Sequence, residues 1–326
     1  YGLDFSILDE HLSGSFDYFI EKRHDILTTR NTAPNFIAIT MPVVNIGKVD
    51  NKGFELVLKW NHSIGDFKYW INGNLSYAKN KIVYKDEIPH KYPWLYETGQ
   101  SVGQPFGFIF DGFVTEADLE SGKLPDHKLD LKPGDAKYKD LNGDGKITDE
   151  DQTFLGYPNQ PEITYGFGFS AGYKGFDLSM FFQGNARVSF FIDPRNTSPF
   201  VNYDAGDRIG VQQCLDVIAN DHWSENNRDI YAFWPRLSPT LVDNNMVTST
   251  WWMHDGSFLR LKTVELGYTF SQKALKKIGV QSLRLYLTGS NLLTFSKFKL
   301  WDAEMGNNGL GYPIQRVYNL GININF

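Results

Sequence analysis

Cysteine is almost absent: Cys214 is the only one in 326 residues, so no intrachain disulfide braces the fold and the lone thiol reads as an unpaired packing residue. Long apolar runs are missing as well. No stretch approaches the roughly 18 consecutive apolar residues that suggest a membrane-spanning helix, so any crossing of a bilayer falls to the strands of a closed barrel. A mean hydropathy of −0.36 does not oppose that, because a barrel strand turns only every second residue to lipid. There is no excess of basic residues, 38 acidic side chains standing against 32 basic ones for a net charge of −6. No basic stripe interleaves with aromatics either, which excludes nucleic acid as an expected partner. No charged segment followed by an apolar one precedes Tyr1, so the chain is expected to begin within a longer protein or after processing.

Catalytic constellations are also lacking. The seven histidines are scattered, and His254-Asp255 and Asp221-His222 are adjacent pairs without a nucleophile elbow. No G-x-S-x-G, H-E-x-x-H or Cys-x-x-Cys occurs, and the carboxylate pairs read as solvated charge. The expectation is therefore that the protein is not an enzyme.

Aromatic residues are plentiful at 15%, and they sit in segments of about ten residues that alternate with period two from one end of the chain to the other. Phe54, Leu56, Leu58 and Trp60 share one face of a strand, with Glu55, Val57, Lys59 and Asn61 on the other. Tyr69, Ile71, Gly73, Leu75 and Tyr77 answer them across a turn at 63–66. Tyr165 to Tyr173 and Phe176 to Phe182 form a second hairpin about Lys174-Gly175. Segments near 1–8, 12–28, 258–270, 283–292 and 316–326 behave alike, and a weaker candidate lies near 105–114. The reading is an all-β, antiparallel transmembrane β-barrel segment of about ten strands. Tight turns alternate with long connections at roughly 29–45, 81–104, 115–160, 188–257 and 293–315, as outer-membrane barrels segregate short periplasmic turns from long extracellular loops. Loops of that length are where recognition is expected. The rival reading of the alternation is a soluble sandwich with one buried face.

Two loop features carry candidate chemistry. Asp140-Leu-Asn142-Gly-Asp144-Gly145-Lys146-Ile-Thr-Asp-Glu-Asp151 matches a calcium loop, with Asp140, Asn142, Asp144, the Lys146 carbonyl and Asp151 as the expected ligands of a structural Ca2+. Asp151 stands where a helix–loop–helix site has Glu, and its shorter reach implies modest affinity; the bland reading is an acidic turn without metal. The second feature is the aromatic 188–257 connection. Trp223, Trp234, Trp251 and Trp252 are candidates for stacking on sugar or contacting a protein lid, or else they pack the loop on itself or sit at the membrane boundary. At the chain end, Tyr318, Leu320, Ile322, Ile324 and Phe326 alternate with Asn319, Gly321, Asn323 and Asn325. This strictest alternation of all reads as a terminal barrel strand.

Four ordered blocks resemble the SusC/RagA-type TonB-dependent transporters over essentially the whole chain. They are Lys137 to Ile147, continuing through Leu155-Gly156-Tyr-Pro158 to Phe182-Gln183-Gly184; Trp251 to Tyr268; Ser290-Asn291-Leu292; and Arg316 to Phe326. The resemblance implies that 1–326 is the C-terminal portion of a 22-stranded barrel in the outer membrane of a Gram-negative bacterium. Its plug domain and N-terminal strands are not found in this sequence. It further implies import of a bulky oligosaccharide or peptide, a SusD-like surface lipoprotein as lid, and the TonB-ExbB-ExbD complex as energy source. The alternative is a secreted, calcium-stabilised β-sandwich that binds carbohydrate.

Overall fold

The computed structural model describes residues 1–32, 42–200, 202–204, 209–275 and 279–326. Nine strands form one antiparallel sheet in strict chain order: β1 (Gly2–Ile7), β2 (Leu12–Thr29), β3 (Val43–Ile64), β4 (Phe67–Tyr84), β5 (Ile163–Tyr173), β6 (Phe176–Ala186), β7 (Phe258–Thr269), β8 (Ser282–Ser296) and β9 (Val317–Asn325). Among the described residues no second sheet of comparable size packs on it, as a sandwich would require.

The register lines up the faces that the alternation predicts. Residues directly opposite in an antiparallel ladder share a face, so Leu3, Phe16, Leu56, Leu75 and Tyr165 form one continuous row. Phe67, Tyr173, Phe176, Tyr268, Leu285 and Ile322 form another on the same face. The opposite face is polar, with Asp17, Glu55, Ser76, Thr164 and Asn185 in one row. It also carries Arg284, whose Nη2 lies 2.5 Å from Asp177 Oδ2 and 2.6 Å from Glu265 Oε1. Gly267 makes room for that cluster, since a Cβ there would meet both Arg284 and Asp177.

The apolar face is exposed rather than covered, as at Leu320 (79%) and Leu266 (50%), and a patch of that extent marks a surface that meets a membrane or another protein. Its height is defined by aromatic rows. On β4 the band runs from Phe67 to Tyr77, ten residue steps, against the roughly 9–11 residues of a tilted membrane strand. The lower row pairs Phe67 with Tyr173 and Phe176 with Tyr268. The upper row joins Tyr18, Phe54 and Tyr77, with the last two rings 5.8 Å apart. Above that row the same face carries Lys22, Asp50, Lys52, Lys79 and Lys81, charges that belong in water. The 22 residues of β3 run for roughly 70 Å along the strand at ~3.3 Å per residue. The upper parts of β2, β3 and β4 therefore project beyond the apolar band.

Tight turns at 8–11, Gly65-Asp66 and Lys174-Gly175, together with the short 270–281 connection, lie at one end of the sheet. Lys174 and Gly175 both have positive φ, 46° and 91°, the pair of left-handed residues that a two-residue hairpin turn matched to strand twist demands. The long connections 30–42, 85–162, 187–257 and 297–316 lie at the other end; parts of 30–42, 187–257 and 270–281 fall outside the described residues. The weaker candidate near 105–114 is not a tenth strand of the sheet. It forms two short strands, Phe106–Phe108 and Phe110–Phe113, which pair with Gln152–Phe154 and Ala136–Tyr138 inside the loop layer. The segments 81–104 and 115–160 thereby merge into one connection. A tenth strand between them would have put the two at opposite ends of the sheet.

Candidate functional site

The long connections fold together into a layer with its own buried cores. One core unites Phe190, Ile192, Ile218, Trp234 and Trp252 of the 187–257 connection with Phe298 of the last one. A second joins Phe113, Ala136, Tyr138 and Ile147 of the 85–162 connection to Ala232. Trp251 packs against both, its ring 4.5 Å from Phe110 and 5.1 Å from Phe113.

This packing decides the role of the tryptophans. Trp234 and Trp252 are each 2% exposed, with ring centroids 4.8 Å apart, and Trp252 Nε1 donates to the Asn245 carbonyl at 2.9 Å. Their faces are covered by protein, so direct stacking on a solute or a lid is not open to them; they pack the connection on itself. Trp223 is half-buried against Gly134, where a Cβ would lie 2.3 Å from the indole, so the missing side chain lets the backbone pass close beneath the ring. Trp251 is half-buried between the two cores.

The candidate calcium loop is a closed turn. Gly143 and Gly145 take φ of 74° and 77°, and their N–H groups donate to the two oxygens of Asp140 at 2.7 Å each. Asn142 Oδ1 accepts from Asp144 N–H and Asp144 Oδ1 from Lys146 N–H, both at 2.9 Å. Asp151 is fully buried. It accepts from the N–H groups of Leu141 at 2.9 Å and Thr148 at 2.8 Å, so it ties the two ends of the loop together. Desolvation pushes the Asp140 carboxyl up, but the backbone donors of Gly145, Gly143 and Asp144 and the Asp151 side chain outweigh it and hold the group below the usual carboxylate range. The donor set is hard oxygen, the chemistry calcium takes. The oxygens are turned onto the loop's own N–H groups, however, and among the described residues no three His, Cys, Asp or Glu side chains converge as a metal cluster.

Several residues of the layer were not singled out by sequence. Glu150 links the calcium loop to the 85–104 segment: Trp94 Nε1 donates to its carbonyl at 2.8 Å, and its carboxylate meets Lys91 and Asn142. Arg260 is fully buried on the polar face of β7. It pairs with Asp302, and its Nη1 lies 2.7 Å from Glu304 Oε2, so two carboxylates of the 297–316 connection are pinned down onto the sheet. The available signal was an arginine between Leu259 and Leu261; its partners lie about forty residues on.

Comparison with known proteins agrees with this architecture. The family described as TonB dependent receptor-like, beta-barrel matches residues 1–292. The chain is similar to a TonB-dependent receptor of Formosa agariphila, 29% identical over 352 residues that cover 100% of this chain and 33% of that protein. It is also similar to the TonB-dependent receptor SusC of Bacteroides thetaiotaomicron, 24% identical, covering 100% and 31% respectively. Among solved structures, the RagAB peptide transporter superimposes with a TM-score of 0.71 at 21% identity, covering 100% of this chain and 34% of that one. The chain thus spans about a third of the length of the relatives it matches.

Proposed function

This chain belongs to the TonB-dependent receptor β-barrel family, a family of receptors rather than enzymes, and on that premise we propose that it supplies wall and extracellular loops to an active importer. The importer sits in the outer membrane of a Gram-negative bacterium, closes as a 22-stranded barrel around a plug, and is driven by TonB-ExbB-ExbD. It takes in a bulky oligosaccharide or peptide beneath a SusD-like lipoprotein lid. The observation that carries this reading is the exposed apolar band, ten residue steps tall and bounded by aromatic rows, on a sheet whose other face is polar. Such a surface is stable against lipid outside and an aqueous lumen inside.

The test is made on the full-length protein in its own cells. The protein should fractionate with the outer membrane, migrate heat-modifiably on gels, and support a solute uptake that gene deletion or a protonophore abolishes. A soluble product would remove the barrel, and protonophore-insensitive uptake would remove the energy link. Deleting Phe326, the exposed last residue after β9, should lower the outer-membrane level several-fold with synthesis unchanged; equal levels would show that the terminal ring is not an assembly signal.

Calcium belongs to the same proposal. Asp140, Asn142, Asp144, the Lys146 carbonyl and Asp151 would bind the ion as a structural brace of the layer, with Glu150 passing its effect to the 85–104 segment. Titration calorimetry should show calcium heat for the wild type and none for Asp144→Ala. Identical traces would leave the loop as a hydrogen-bonded turn. The layer's outer surface would meet the lid: protease added to intact cells lacking the lid should cut within 187–257, and cleavage only from the periplasmic side would reverse the topology.

A further inference from the structure

The apolar face of the sheet changes character at its upper aromatic row. Between that row and the tight turns, β2 to β4 carry no lysine, arginine, aspartate or glutamate on this face. Above the row it turns basic within one step of the strand. Lys52 and Lys79 stand opposite each other in the first row, beside Ile20, and Lys22 and Lys81 flank Asp50 in the second. Lys48 follows two residues further along β3, and His24 and Asp25 at the β2 bulge pair with each other. All five lysines are exposed, and none of them makes a salt bridge among the described residues. The inner side of the same stretch is closed by the loop layer: Val102 N–H donates to Asn80 Oδ1 at 2.7 Å, and buried Ile82 exchanges backbone hydrogen bonds with Gly99 and Gln100. These charges therefore face away from the lumen and from any solute in it.

We propose that this basic shelf binds the phosphates of a phosphorylated glucosamine lipid of the outer leaflet, lipid A, packed against the barrel wall. The inference rests on the outer-membrane reading above and adds a lipid partner to it. The apolar band immediately below receives acyl chains, so a single ligand meets both surfaces. The heights agree. Two residues of strand advance roughly 6.7 Å, which a tilt of about 40° reduces to ~5 Å along the membrane normal. The two lysine rows thus stand ~5 and ~10 Å above the aromatic row. The headgroup layer is roughly 5–8 Å deep on each side of the hydrocarbon core, and a lysine stem lets its ammonium bend down into it. Charge chooses among the occupants. A second copy docked here by two-fold symmetry would set lysine against lysine, whereas phosphate neutralises the cluster. A free phosphate would use the lysines and leave the apolar wall and the exposed Ile20 beside them without a role.

The test uses the full-length protein, extracted from outer membranes into detergent micelles and titrated with lipid A bearing its phosphates or with lipid A stripped of them. Wild type should bind the phosphorylated lipid at least about ten-fold more tightly, since each lysine beside an anionic headgroup contributes about five-fold. Lys52→Gln, Lys79→Gln and Lys81→Gln combined should erase the preference, and Asp50→Asn should increase it several-fold. Lys59→Gln with Lys68→Gln, on the polar face near the opposite end of the sheet, should leave it unchanged. Inorganic phosphate at matched concentration should not displace the lipid; displacement would mean that the lysines hold a free anion, and would overturn the proposal. Equal binding of the two lipids by wild type would overturn it too, as would a preference that survives the triple substitution in protein of normal heat-modifiable migration. Self-association of the wild type that the triple substitution abolishes would assign the face to a second copy instead. A full-length protein absent from the outer membrane removes the outer-membrane reading itself, whereas failed titrations of a correctly inserted barrel remove only the lipid site.

Discussion

Large apolar side chains behave in opposite ways in the two regions of this molecule. In the nine-stranded sheet they stay outside, Leu287 at 49% and Tyr318 at 66% exposure, while in the loop layer Phe113 and Ile218 are sealed completely. The sheet gains nothing by burying its apolar face against itself, because lipid is as apolar as a core. The layer stands in water and must build a core from whatever its connections can bring together. Charge follows the same division: the ionic groups of the sheet's membrane band lie on its polar face, as Arg284 does with Asp177 and Glu265. The layer instead buries carboxylates against partly exposed arginines, Asp135 with Arg236 and Glu162 with Arg187.

That contrast can be broken at its seam, where Arg260 of β7 holds two carboxylates of the layer. Arg260→Ala leaves Asp302 and Glu304 without their cation, and because both carboxylates keep part of their contact with solvent the cost falls below the about 3–5 kcal/mol of a fully buried pair. Rapid proteolysis should appear within 297–316 while heat-modifiable migration persists; protection equal to wild type would show that the connection is held elsewhere. Within the layer, Trp252→Ala should cost about 3–5 kcal/mol as a large core truncation. Amide exchange should accelerate through 187–257 and leave β2 to β4 unchanged, whereas acceleration in both regions would mean that they fold as one unit.

The sheet is tested by paired substitutions on neighbouring residues. Leu287→Arg, on the apolar row between Leu266 and Leu320, should destabilise folding into lipid by up to about 2–4 kcal/mol, and Thr288→Arg on the other face by much less, because a charge facing an aqueous lumen stays hydrated. Equal effects would mean that the faces are wrongly assigned. The smallest expected effect is that of pH. Burial lowers the pKa of His127 below its ordinary 6.5, outweighing the Pro125 carbonyl and the charge of Asp126. Nδ1 lies 2.7 Å from the Pro125 carbonyl and carries the proton, and Nε2 accepts the Tyr138 N–H at 3.3 Å. The folded state therefore binds fewer protons than the unfolded chain, and this contribution is lost as pH falls through 6.5 towards the lowered value. Near-ultraviolet circular dichroism of the layer should weaken between pH 7 and 5 in wild type and less in His127→Gln. The same pH response in both would remove His127 as the cause.

Much of the fold was legible because strand alternation is a local property. Phe54 to Trp60 and Phe176 to Phe182 announce their faces without knowledge of any partner. The segment 105–114 looked the same by period yet belongs to the layer, where Gly107 lets its backbone pass against the Thr248 carbonyl. Alternation reports that a segment is extended and does not report which neighbour it will find. The tryptophans of the 188–257 connection stand out in the sequence by their number, but whether a ring faces outward or inward depends on chain more than a hundred residues away, as with Trp251 and Phe110.

By itself the sequence determined the class of protein, the positions of most strands, the apolar and polar faces, and the segregation of tight turns from long connections. Each of these follows from spacing along the chain and from the two-residue period of a strand in contact with two different solvents. Only the tertiary structure decided that Trp234 and Trp252 are core and that Arg260 is the anchor of the last connection. Those features arise where side chains from separate connections or neighbouring strands compete for the same space, and sequence spacing carries no record of that competition.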